Sequence, residues 1–373
     1  MIKIKNTLLE SKHLIIAGVL VFIPLLLFYP TKFTTIDEHD YINNAQLLLN
    51  GGLKTDCSLN IPGQWPAGEY CISKYNIGTS LILLPAVILN KNLIALTTFA
   101  AFLVGIVVFY KLLQMNKLDK KFIYLFALFP PFIFFTRTAM SEIYSMSFLL
   151  LSFYLLLKAT KQSYYQPLAA LTIILTLFIR YTNSVPLLII LGYLAYSEIS
   201  LIGIKNTLKE WIYLILLLLL GIVLFSAFNH QHYGALFRSG YYFSSEEGAV
   251  IWEQVPTTLI RYFLLTNIFY PLMLILLFRT KIKWKNLLLS AFLGLFLFYT
   301  IIKNVSFADK ITDLILGLRF LIPVYPFALL AYFELLNRFR DRKYYKPSLY
   351  TFVVLLIGAA IYINLIHQGF LSR

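Results

Sequence analysis

Residues 33–52 read FTTIDEHDYINNAQLLLNGG, and the fold follows from where this stretch falls. It comes directly after the first long apolar run, His13 to Pro30, and carries a carboxylate pair, Asp37-Glu38, followed by Asp40. From Asp40 to Leu49 the apolar residues are spaced to cover one helix face, and Gly51-Gly52 ends the pattern. Such a helix at the mouth of a membrane span lies on the membrane surface, with Asp37 or Asp40 near its N-terminus, where the helix dipole favours a carboxylate. Acids are costly to hold near lipid, so a pair there asks for a chemical reason: a general base, a metal ligand, or both.

The rest of the chain supplies the membrane. Of 373 residues 59% are hydrophobic and 13% charged, more apolar surface than a soluble chain of this length can hide. Runs of near-continuous apolar residues predict eleven spans, at about 14–30, 92–114, 122–136, 143–157, 167–179, 184–198, 211–228, 259–278, 286–302, 319–336 and 348–366. The first lacks a small-residue cleavage site and reads as a retained helix. Ile77 to Leu89 is apolar but too short to span and contains Pro85, so it reads as an interfacial helix. The expected class is therefore an all-α polytopic membrane protein, a single multi-pass domain over 1–373. Its first outer loop is long (31–91) and holds interfacial helices, and a second outer segment covers 229–258. With little sequence after the last expected span, acceptor recognition is expected to use the membrane-embedded cavity and the outer loops.

The net charge of +15 would suggest nucleic acid in a soluble protein. Here the basic residues gather in short loops, above all Arg279–Lys285 (RTKIKWK) and Arg338–Lys346 (RFRDRKYYK), and no aromatic-basic repeat or zinc spacing accompanies them. By the positive-inside rule these loops and the N-terminus are cytoplasmic in a cell-membrane protein, and nucleic acid is not a partner. Most acids then fall outside, including Asp37, Glu38, Asp40 and Glu142. Acids barely influence orientation, so their excess points to chemistry on the outer face. Cys57 and Cys71 share the first outer loop; a disulfide and two free thiols both fit.

Cations reach the same face from separate places: Lys74 in the first loop, Arg137 in the Thr136–Glu142 connection, Arg180 at the end of the fifth span, and Arg319 before the tenth. One arginine at a helix end ordinarily snorkels to headgroups. Several facing a carboxylate pair suit bidentate binding of a lipid phosphate beside an activated hydroxyl. His39, His230, His232 and His367 are candidate metal ligands, and both a divalent metal and metal-free base catalysis are compatible with the residues. Tyr241 and Tyr242 are candidates for stacking on a sugar.

In order along the chain, these motifs resemble the GT-C glycosyltransferases of the protein-mannosyltransferase and aminoarabinose-transferase group. Asp37-Glu38 with Tyr41, Ala45, Leu48 and Gly51-Gly52 resembles the acidic first-loop motif and its surface helix. Lys74-Tyr-Asn-Ile-Gly78 with Pro85 resembles the element closing that loop, although many members have His-Pro-Pro or a proline before the glycine. Arg137–Glu142 resembles the second acidic loop, Tyr233-Gly234 with Gly240-Tyr241 a later outer-loop motif, and Arg319–Pro326 (RFLIPVYP) the C-terminal signature. The resemblance implies a sugar taken from a polyprenyl-phosphate donor and passed, outside the membrane, to a lipid, glycan or protein acceptor. It implies Asp37 as the acidic catalytic residue with Glu38 its motif neighbour, and Lys74, Arg137 and Arg319 on donor phosphate. Glu142, Arg180 and Tyr241 join the substrate-binding candidates. The competing class is a lipid or glycan transporter, for which paired broken helices with mid-membrane charges are expected.

Overall fold

The computed structural model describes residues 2–30, 33, 35–61, 64–236, 238, 240, 252–302 and 311–367, with side chains described outside 2–11, 311–314 and 367. Among the described residues are seventeen α-helices and one two-stranded antiparallel sheet. Among the described residues six helices are long and apolar enough to cross a membrane: Lys91–Met115, Ser141–Ala159, Tyr181–Ile202, Ile212–Tyr233, Lys285–Ile302 and Tyr345–Ile366. Lys12–Leu27, Ile77–Leu89 and Ser163–Ile179 are apolar but shorter. The protein is a multi-pass membrane protein.

Several expected spans are interrupted, each where the chain loses backbone donors. The 122–136 run is two six-residue helices, Phe122–Ala127 and Pro130–Phe135, because Pro130-Pro131 cannot continue a helix but can open one. The 259–278 run stops at Asn267 and resumes as Met273–Leu277 after Pro271, with Leu272 at φ 61°. The 319–336 run starts only at Tyr325, since Arg319–Val324 is a series of turns around Pro323, and Ile311–Leu318 is a separate helix. In the opposite sense, the seventh span runs on to Tyr233, where Gly234 at φ 78° caps it in the left-handed conformation.

The chain forms two compact units. The first comprises Met1–Tyr29, Phe99–Arg137 and Val250–Arg373. Its core is aromatic: Phe109 stacks on Phe126 at 4.0 Å between centroids, Phe122 on Phe333 at 4.9 Å, and Phe129 on Tyr325 at 4.5 Å. Tyrosine hydroxyls complete the broken helices. Tyr270 Oη donates to the Leu125 carbonyl at 2.8 Å, and Tyr325 Oη to the Thr266 carbonyl at 2.5 Å. Away from water these carbonyls would otherwise be orphaned at about the cost of a lost hydrogen bond.

The second unit comprises Pro30–Thr98 and Thr138–Ala249. It opens with the Ile36–Leu49 helix, close to the surface helix expected over Asp40–Leu49. An antiparallel hairpin then pairs Gln64–Ala67 with Tyr70–Ser73 through a two-residue turn, Gly68-Glu69, with Gly68 at φ 79°. A Cys57–Cys71 disulfide ties this hairpin to the preceding loop, and Thr55 pairs with Cys71 across it. Ile77–Leu89 follows and packs on both Ile36–Leu49 and Gln166–Ile179. At Gly78 a Cβ would overlap the backbone of Phe178 and Ile179, so only glycine permits this close approach. Gly78→Ala is therefore expected to destabilise the unit by about 1–3 kcal/mol, read as a lower Tm in detergent. Gly192→Ala, where a Cβ would meet nothing within 4 Å, is the control and should leave Tm unchanged or slightly raised.

Candidate active site

The site is built on the first turn of the Ile36–Leu49 helix in the second unit. Thr35 caps it: its Oγ1 accepts from the Glu38 backbone N–H at 3.2 Å. Glu38 Oε2 reaches back to accept from the Thr35 N–H at 3.1 Å and its hydroxyl at 3.0 Å, a capping box. Glu38 Oε1 accepts from the Ala139 N–H at 3.2 Å. With 4% of its surface exposed, Glu38 thus fastens the helix start to the turn before Ser141–Ala159.

Asp37 is half-buried in the same turn, where the helix dipole favours negative charge. Its Oδ1 accepts from the Tyr75 hydroxyl at 2.5 Å. Three residues on, Asp40 shares that helix face but is fully buried. Its Oδ2 accepts from Ser73 Oγ at 2.5 Å and its Oδ1 from Gln64 Nε2 at 3.2 Å, while Gln64 also donates to Asn44 Oδ1 at 3.0 Å. Burial pushes the Asp40 carboxyl well above the ordinary carboxylate range, and the Asp37 charge adds to this; Ser73, Lys74 and Gln64 pull the other way. Lys74 is 6% exposed, with its Nζ 5.7 Å from the Trp65 ring centroid and 5.1 Å from that of Tyr75.

Two candidates placed far apart in the sequence meet elsewhere in this unit. Arg180 Nη1 lies 3.2 Å from Glu142 Oε1, and Glu142 is buried. Asn183, from the turn after Arg180, donates to Ser145 Oγ at 3.1 Å one helical turn beyond Glu142. Arg137 and Arg319 belong to the first unit. There Arg137 is buried, donates to Asn364 Oδ1 and stands 5.6 Å over the Phe28 ring, while Arg319 stands 4.8 Å over Phe320. Tyr241 and Tyr242 lie outside the described residues, as does the side chain of His367.

The sequence places Asp40 among the outer-face acids and Tyr75 in the Lys74–Gly78 motif without giving either a site role, and it leaves Ser73 and Gln64 unmarked. The signal for Asp40 was its three-residue spacing from Asp37. Ser73 and Tyr75 carried no signal without the hairpin that delivers them.

The donors do not make a ready cation cage. The carboxylate oxygens of Asp37 and Asp40 described above receive O–H and N–H donors, His39 and His230 are exposed, and among the described residues no three of His, Cys, Asp and Glu converge.

No family model and no curated protein matches the chain. Solved structures do. Over 96% of its length the chain is similar to ArnT from Cupriavidus metallidurans bound to undecaprenyl phosphate, with a TM-score of 0.54, 13% identity and 72% of the ArnT chain covered. Over 96% it is also similar to the Archaeoglobus fulgidus oligosaccharyltransferase in the apo form, with a TM-score of 0.55 and 14% identity, and it spans 55% of that chain. The shared architecture is the GT-C fold.

Asp40 gives a test of the buried cluster. Its raised pKa means that the folded protein holds a proton the unfolded chain has released, so stability falls as pH rises from the unfolded value through the folded one. Asp40→Asn removes this dependence, because the amide oxygen still accepts from Ser73 and the buried Oε1 of Gln64 can turn to accept from the new NH2. The variant is expected to have a higher Tm than the parent at pH 7–8, with the gap closing towards pH 4, in thermal unfolding across that range.

Proposed function

We propose that this chain is a membrane glycosyltransferase that moves a sugar from a polyprenyl-phosphate carrier to a hydroxyl acceptor on the extracytoplasmic face, with Asp37 as general base. The observation that carries the reading is the Asp37 carboxylate at a helix N-terminus, gripped by Tyr75, in a fold shared with ArnT bound to undecaprenyl phosphate. The acceptor hydroxyl gives its proton to Asp37 as its oxygen bonds to the anomeric carbon. The carbon–oxygen bond to the carrier phosphate breaks on the opposite face, so the configuration inverts and polyprenyl phosphate leaves. Lys74, in the same unit as Asp37, is the donor-phosphate residue of the proposal, since a cation stabilises the charge that develops on the leaving phosphate. Glu38 acts by holding the helix start, and Glu142 by holding Arg180.

The disulfide supports the side of the membrane. A Cys57–Cys71 bond persists in an oxidising compartment, which suits a first loop outside the cytoplasm with the N-terminus inside. In intact cells, a membrane-impermeant maleimide should label Cys57 only after an impermeant reductant. Labelling that requires permeabilised cells would place the loop in the cytoplasm.

For the activity, purified protein in lipid is given a radiolabelled polyprenyl-phosphate sugar and a membrane-extract acceptor fraction. Label should move to acceptor, and Asp37→Asn should cut the rate by about 10²–10⁴-fold while leaving Tm near that of the parent. Undiminished transfer by Asp37→Asn would remove the base assignment. Donor movement across the bilayer without transfer would favour the transporter reading.

A further inference from the structure

We infer that Asp40 is a positioning residue for the transfer reaction: its buried carboxyl, acting through Ser73, fixes the turn that aims the Tyr75 hydroxyl at Asp37. The inference rests on the reading of Asp37 as the base.

The geometry is a relay of four groups. Ser73 Oγ lies 2.5 Å from Asp40 Oδ2 and 2.9 Å from the Tyr75 N–H, with the Tyr75 carbonyl at 3.4 Å. A hydroxyl has one proton, and the short contact to Asp40 takes it. The serine lone pairs then face Tyr75 N–H, closing a two-residue serine turn. Without Asp40 the same proton has the Tyr75 carbonyl as an alternative acceptor, and the serine loses its reason to hold that rotamer. The turn sets the direction of the Tyr75 side chain, whose hydroxyl ends 2.5 Å from Asp37 Oδ1.

Neighbouring contacts leave the turn little other freedom. The Tyr75 ring is buried and packs on Tyr41, the residue after Asp40, at 4.9 Å between centroids. Gly240 seats its backbone so close to the Ser73 carbonyl and Lys74 Cα that a Cβ would overlap them. The disulfide anchors the strand two residues before Ser73. Asp40 and Asp37 thus grip one short segment from the same helix face, one through the backbone turn and one through the side chain that turn directs.

A purely structural account, in which Asp40 merely satisfies a buried serine and glutamine, makes a different forecast. Among the described residues, the charged and titratable groups near Asp37 include Glu38, His39, Asp40 and Tyr41 on its own helix and Lys74 and Tyr75 on the turn, while the Ile77–Leu89 helix packed on that helix carries none. Asp40→Asn separates geometry from charge, because it removes the carboxylate while its amide oxygen still accepts from Ser73. A tyrosine hydrogen bond favours the ionised carboxylate, and losing it raises the pH at which Asp37 takes a proton.

The measurement is the pH midpoint of water-soluble carbodiimide labelling at Asp37, located by peptide mass spectrometry on the full-length protein. Tyr75→Phe and Asp40→Ala should each raise the midpoint by about 0.5–1 unit. The double variant should move it no further than Tyr75→Phe alone, because both changes break one relay. Asp40→Asn, whose amide oxygen still accepts from Ser73, should retain the wild-type midpoint. Should Asp40→Ala fail to fold, Ser73→Ala breaks the relay with a smaller deletion and carries the same expectation. An unshifted midpoint in the Asp40 or Ser73 variant, or a double variant whose shift is the sum of the two, overturns the inference. Labelling needs no turnover, so a wild-type protein that shows the coupled midpoints but no transfer would refute the proposed function and leave the relay standing. Transfer with uncoupled midpoints would do the reverse.

Discussion

The constraint that shapes this protein is that every polar group out of reach of water must find a partner within the chain. In the first unit the constraint meets prolines. Pro130-Pro131 and Pro271 break helices that a purely apolar sequence would have run straight through, and each break leaves carbonyls without N–H partners. Tyr270, Tyr325 and Tyr332 supply hydroxyls to Leu125, Thr266 and Pro271, and their rings fill the aromatic core around the breaks. The abundance of tyrosine and phenylalanine is thus partly an answer to backbone accounting rather than only a lipid-facing belt.

In the second unit the same constraint meets acids. Three carboxylates within four residues receive three different solutions. Glu38 gives both oxygens to backbone and cap donors. Asp40 is sunk into a cluster of serine and amide donors, at a cost that its raised pKa records. Asp37 stays half-buried with a tyrosine on one oxygen. Of the three it combines partial access with a held geometry, which is what a base that must meet an incoming hydroxyl requires. The sequence pair Asp37-Glu38 looks symmetrical; the helix start makes its members unlike, one bound to backbone donors and one to the Tyr75 hydroxyl.

What the sequence made legible, it did through local physics. The surface helix was readable from the periodicity of residues 40–49 and the glycines that stop it, and Ile77–Leu89 from its length against the bilayer. Thr35 three residues before Glu38 is a capping-box spacing that could have been read and would have moved the helix start to Ile36. The broken spans were misjudged because apolar run length outweighed Pro130-Pro131, Pro271 and Pro323. The hairpin escaped because its strands are only four residues long and one carries Pro66, which argues against a strand; the Gly68 turn and the disulfide, not strand propensity, hold it. Ser73 and Tyr75 became visible only once that hairpin was in place, since their partners lie more than thirty residues away.

The likeness to ArnT and to the archaeal oligosaccharyltransferase fixes the architecture, while the chemistry rests on how the first-loop turn and the helix start meet. The most direct measurement is an experimental structure of this chain in lipid with polyprenyl phosphate added. The expected result is a phosphate headgroup within hydrogen-bond reach of Lys74 Nζ, with the Asp37 carboxylate still held by Tyr75 and open towards the headgroup. A headgroup bound elsewhere, with Lys74 still enclosed between Trp65 and Tyr75 and Asp37 turned away, would contradict the assignment of this loop to catalysis.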